Sequence, residues 1–126
     1  MASTLYLSLE EALYLHARLL ERFGGTAGVR DMGLLESALS RPRSGYYASL
    51  SEQAAALLQS LALNHIFIDG NKRVAFAACA IFLDMNGFTL GVDAEAAERF
   101  LIDRVITEHA ELATIVQWLE AHMQRR

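Results

Sequence analysis

The chain has 126 residues, 53% hydrophobic and 21% charged, with a formal net charge of -4. That fits one globular domain, 1–126, with its own core and no need of disulfides or metals. It argues against direct nucleic-acid binding, which needs a basic stripe, and no apolar run approaches the roughly 20 residues of a membrane span.

Met1-Ala2-Ser3-Thr4 lacks the basic start of a secretory leader. Cys79 is the only cysteine, so it has no disulfide or metal-site companion. A reducing cytoplasm is the expected setting.

In chain order, Ser8 with Glu11 forms a capping box, and Leu9, Ala12, Leu13, His16, Leu19, Leu20 and Phe23 recur at helical spacing. Gly24-Gly25 stops this first helix. Asp31 caps a short second helix that Pro42 ends. Residues 43–50, with Tyr46-Tyr47, read as a loop or a short hairpin. Ser49 with Glu52 opens a third helix whose stripe runs from Leu57 to His65. Asp69-Gly70 breaks that pattern, and a fourth helix begins near Asn71 and ends at Asn86-Gly87. It is apolar nearly all round, as suits the middle of a bundle. Thr89 to Val92 is extended, Asp93 caps a fifth helix, and the last helix carries Leu112 to Met123. About six helices with short connections predict a compact all-α bundle.

Chemistry concentrates at the junction of the third and fourth helices. The first N–H groups of a helix have no partner inside it, and a preceding glycine lets an anion approach them closely. Lys72 and Arg73 add two positive charges at that start. Such charges oppose the helix dipole, a penalty that a bound polyphosphate reverses. Lys72 is the only lysine among 11 basic side chains, the other ten being arginine. Asp69 lies two residues earlier and suits Mg²⁺ shared with phosphates. Histidine is the usual proton acceptor in such chemistry, and His65 supplies one. Together these residues point to transfer of a phosphoryl or nucleotidyl group.

Taken singly, each element has a plainer explanation: a core histidine, a common Asp-Gly-Asn turn, an exposed Lys-Arg pair. Their order across one helix–loop–helix junction favours function. Other phosphate and metal motifs are absent from the sequence: no G-x-x-x-x-G-K-(S/T), no EF-hand acids, no H-E-x-x-H around His16, His109 or His122.

The segment His65-Ile66-Phe67-Ile68-Asp69-Gly70-Asn71-Lys72-Arg73 resembles the Fic/Doc signature H-x-F-x-(D/E)-G-N-(G/K)-R. It is similar in particular to the Doc (death-on-curing) branch, the toxins of toxin–antitoxin pairs. The resemblance extends upstream over Gly28 to Leu39 and Arg41-Pro42, and downstream through Asn86-Gly87-Phe88. It implies a Fic/Doc-like all-α fold. It also implies that His65 deprotonates a target hydroxyl, Asp69 holds Mg²⁺, and Gly70 and Asn71 form the anion cradle. Lys72 and Arg73 would neutralise phosphate charge, and Phe67 would anchor the loop in the core.

Two positions depart from the larger Fic pattern. Lys72 stands where AMP-transferring members usually have glycine, and Phe76 where they have a second arginine. Members with this lysine look like kinases that transfer the γ-phosphate of ATP, with elongation factor Tu as the known target class. AMP transfer and a catalytically decayed binding module are the alternatives. The only S/T-x-x-x-E, Thr107 to Glu111, is followed by Leu112 and misses the family's inhibitory (S/T)-x-x-x-E-(G/N) pattern. A cognate antitoxin on a separate chain is therefore the implied partner. Tyr46 and Tyr47 fall about where the family has a target-docking flap; two half-buried loop tyrosines is the plainer reading.

Overall fold

The computed structural model describes residues 3–126. Met1 and Ala2, part of the N-terminus read as leader-free, lie outside the described residues. The fold is all-α, with one small two-stranded antiparallel sheet.

Local signals set the helix starts. Helix α1 spans Leu9–Phe23. Ser8 Oγ accepts the Glu11 N–H at 3.1 Å, and Glu11 Oε1 accepts the Ser8 N–H at 2.9 Å. Each bond satisfies a donor the helix itself leaves unpaired. Gly24, at φ 80°, ends the helix. Helix α2, Met32–Ser40, starts at Asp31, whose Oδ1 accepts the Leu34 N–H at 3.0 Å. The α-helix ends at Ser40, just short of Pro42 as predicted, and the chain continues without a break. It tightens into a 3₁₀ turn, Arg41–Arg43, with Pro42 buried at the start, where its missing N–H is not needed. Residues 44–49 then form an irregular loop, not a hairpin. Tyr46 is fully outside at 85% exposure. Tyr47 is half-buried, and its hydroxyl accepts from Arg41 Nε at 2.8 Å.

Helix α3, Leu50–Leu63, and helix α4, Asn71–Met85, pack against each other at the centre. Ala54 and Ala55 on α3, and Ala75 and Ala78 on α4, are all buried; such small side chains let two backbones approach closely. Cys79 lies among them, and burial pushes its thiol up to about 12, so it is unreactive packing. Leu57, Leu61, Phe82 and Leu83 fill the surrounding space.

The C-terminal part departs from expectation in three places. The extended piece begins at Phe88: strand β1 is Phe88–Leu90, and it pairs antiparallel with strand β2, Met123–Arg125. Met123 therefore leaves the last helix, α6 (Leu112–His122), to sit opposite Leu90. Helix α5, Ala94–Arg99, starts at Asp93 as predicted but runs on as a π-helix over Phe100–Thr107. The wider turn keeps Leu101 and Val105 buried and stacks Phe100 on Trp118 of α6 at 4.2 Å. Among the described residues no helix is long and apolar enough to cross a membrane.

Candidate active site

Helix α3 ends at Leu63, and Asn64 alone separates it from His65, which is exposed and adopts φ 50°. That left-handed backbone is uncommon for a residue with a Cβ, though histidine tolerates it better than most. It takes His65 off the helical stripe assigned from the sequence. The chain then dives inward: Ile66 and Phe67 are 0% and 1% exposed. Burying these side chains contributes roughly 1.5–3 kcal/mol each, which fixes the loop to the core.

The 24–31 loop is stitched to this segment. Arg30 N–H and Asp31 N–H both donate to the Ile66 carbonyl, at 2.7 and 3.1 Å, and Ile68 N–H donates to the Gly28 carbonyl at 3.1 Å. From the other side, Asn71 Oδ1 accepts the Phe67 N–H at 2.9 Å and its Nδ2 donates to the Phe67 carbonyl at 2.8 Å. The Asn71 side chain is thus committed to holding the loop.

The cradle is the start of α4. Gly70 occupies the cap position at φ 83°, and Val74 N–H is the first to bond back, to the Gly70 carbonyl at 3.0 Å. The N–H groups of Asn71, Lys72 and Arg73 find no acceptor among the described residues. Lys72 and Arg73 are exposed, and among the described residues neither forms an ion pair. The Arg73 guanidinium lies over the Phe23 ring at 4.8 Å. Two positive side chains and three unpartnered N–H groups therefore belong to one helix start, a setting that favours an anion.

Asp69 stands beside that cradle. Its Oδ2 accepts the Thr26 N–H at 3.0 Å and its Oδ1 the Gly70 N–H at 2.9 Å. These two bonds, then the nearby Arg73 and His16, hold its carboxyl below the ordinary 3.8. The ionised group keeps a further lone pair on each oxygen, so it fits a hard divalent cation. Among the described residues no group of three or more His, Cys, Asp and Glu could hold a metal alone. One carboxylate completed by phosphate oxygens is the arrangement that suits Mg²⁺.

His65, Asp69, Gly70, Asn71, Lys72 and Arg73 all line one cleft of about 830 Å³. Its far wall comes from α5 and the π-helix: Ala94, Glu98, Leu101 and Ile106. Phe76 lines the cleft too. Tyr46 and Tyr47 do not line it.

The Fic/DOC family profile matches residues 6–83. The chain belongs to the Fic/DOC family. Within it the chain falls in the Doc branch. It is 46% identical over 100 residues to Toxin Doc of Mycolicibacterium smegmatis, covering 74% of this chain and 76% of that one. It is 35% identical over 97 residues to Protein kinase doc of Escherichia phage P1, covering 74% and 77%.

Sequence reasoning missed four contributors to this Doc site. His16, Thr26 and Phe23 come from α1 and the loop after it, and Glu98 from α5. His16 was legible only as one position of an apolar stripe. Thr26 acts through its backbone, which carries no side-chain signal.

Proposed function

We propose that this chain is the toxin of a toxin–antitoxin pair, a Doc-type kinase that moves the γ-phosphate of ATP to a hydroxyl of a target protein. The carrying observation is that one helix start joins unpartnered N–H groups, two cations and an ionised carboxylate, with an exposed histidine at the same cleft. The names of the two relatives, a toxin and a protein kinase, support the same reading.

In this mechanism the α4 N–H groups, Lys72 and Arg73 bind the phosphates and offset charge as it shifts during transfer. Asp69, with phosphate oxygens, would hold Mg²⁺, which when bound screens the phosphate charge and orients the chain. His65 accepts the proton of the target hydroxyl. That oxygen bonds to the γ-phosphorus as the bond to the β,γ-bridging oxygen breaks, and ADP leaves. The proton on His65 then returns to solvent. Lys72 occupies the space that a glycine would leave for a nucleotide held the other way round, and so favours phosphoryl over AMP transfer.

The target is a translation factor of the elongation factor Tu class, and its modification in the cytoplasm arrests translation and growth. A separate antitoxin chain restrains the enzyme, the reading that Leu112 after Glu111 supports by departing from the inhibitory pattern. Induced expression tests this reading. Wild type arrests growth, co-expression of the cognate antitoxin relieves it, and His65→Ala at equal level does not arrest. Arrest by His65→Ala would remove His65 from the chemistry.

A further inference from the structure

We infer that His16 of α1 is a positioning residue that sets the peptide plane between Asp69 and Gly70 and so keeps the phosphate cradle open. The inference deepens the transferase reading of this site and rests on it.

His16 is 5% exposed. Its ring stacks on Phe67, with centroids 3.9 Å apart and planes 20° from parallel. Its Nε2 lies 2.9 Å from the Asp69 carbonyl oxygen. A carbonyl only accepts, so Nε2 carries the hydrogen. The Phe67 stack fixes the ring's tilt, and the buried Phe67 fixes the stack to the core. A side chain 53 residues away in sequence thus pins one backbone carbonyl.

That carbonyl matters because of what shares its plane. The described chain has no cis peptide bond, so the Asp69 C=O and the Gly70 N–H point in opposite directions. With the oxygen drawn toward His16, the Gly70 N–H faces Asp69 Oδ1 at 2.9 Å. Rotating the plane by half a turn would take that N–H from Asp69 and turn a carbonyl oxygen toward its carboxylate, in the cleft that Asp69 and Gly70 line. Nothing in residue 70 resists this rotation. Gly70 has no Cβ, and glycine populates both signs of φ about equally. The His16 hydrogen bond on the carbonyl side therefore acts with the Gly70–Asp69 bond on the N–H side to select this orientation, and His16 is the member anchored in the core.

The test separates the hydrogen bond from the packing. His16→Phe keeps an aromatic ring against Phe67 but loses the donor; His16→Gln restores a donating N–H. Calorimetric titration with Mg–ATP is expected to show His16→Phe binding about 10–100-fold more weakly than wild type, as for other groups that orient a ligand's contacts, with His16→Gln recovering most of the loss. Phosphate transfer to the target follows the same order. Equal binding by wild type and His16→Phe overturns the inference, as does a His16→Gln variant as weak as His16→Phe. If His16→Phe fails to fold, ¹⁵N spectra of the wild-type rings decide: a hydrogen on His16 Nε2 supports the inference, and an Nδ1–H tautomer overturns it. Wild type that binds Mg–ATP but transfers no phosphate defeats the kinase reading and leaves this one standing. Wild type that does not bind Mg–ATP defeats both.

Discussion

Asn71 and Phe67 form a two-way clasp, the side-chain amide of one bonding both the N–H and the carbonyl of the other, at 2.9 and 2.8 Å. Phe67 is buried, so its peptide groups have little water to turn to when the clasp is lost. An unsatisfied buried group costs about 1–3 kcal/mol. Asn71→Ala is therefore expected to lower unfolding free energy by about that amount in urea titration, and to speed hydrogen exchange at the Phe67 amide. Asn71→Asp keeps the acceptor but turns a second carboxylate oxygen toward the Phe67 carbonyl, so it should not rescue. Unchanged protection at Phe67 in Asn71→Ala would show that the clasp does not hold the loop.

Asp69 links acid stability to the site. Its carboxyl lies below the ordinary 3.8 when folded, chiefly through the N–H groups of Thr26 and Gly70. The unfolded chain therefore binds this proton more readily. The stabilisation is present above the unfolded value of 3.8 and disappears as pH falls through the lower folded one. Unfolding free energies of wild type and Asp69→Asn, compared from about pH 6 to about pH 3, should converge as the solution becomes more acid. A constant gap would mean that the two N–H bonds do not favour the charged form.

Two glycines in the 24–31 loop should behave differently. A Cβ on Gly25 would lie 2.8 Å from Asp69 Oδ2, whereas one on Gly28 would meet only the Ile68 side chain, at 2.7 Å from its Cδ1. Both have strongly positive φ, 120° and 127°, so alanine strains either by about 1–2 kcal/mol. Only Gly25→Ala displaces the carboxylate. Thermal melts are expected to show similar losses for the two variants, and Mg²⁺-dependent labelling of the target a larger loss for Gly25→Ala. Equal activity in the two would detach Asp69 from the reaction.

What the sequence made legible follows physical range. The capping boxes at Ser8/Glu11 and Ser49/Glu52, and the caps at Asp31 and Asp93, act over three residues and set the helix starts. The nine-residue segment at the α3–α4 junction is likewise contiguous, so its residues were found together. The misses are long-range or backbone-borne. Phe88 pairs with Arg125 through main-chain groups, and the short strands carry too few residues to alternate clearly. The π-helix preserves apolar spacing closely enough to read as a plain helix. His16 and Thr26 reach Asp69 across 53 and 43 residues, and no local pattern reports such contacts.

The central claim is phosphoryl transfer that depends on His65. The most direct measurement incubates the purified protein with a bacterial lysate, Mg²⁺ and, in parallel, ATP labelled at the α- or the γ-phosphate, with His65→Ala alongside. One protein band labelled from γ-ATP alone, and absent with His65→Ala, is the predicted result. A band labelled from α-ATP, or a γ-labelled band that persists in His65→Ala, would contradict it.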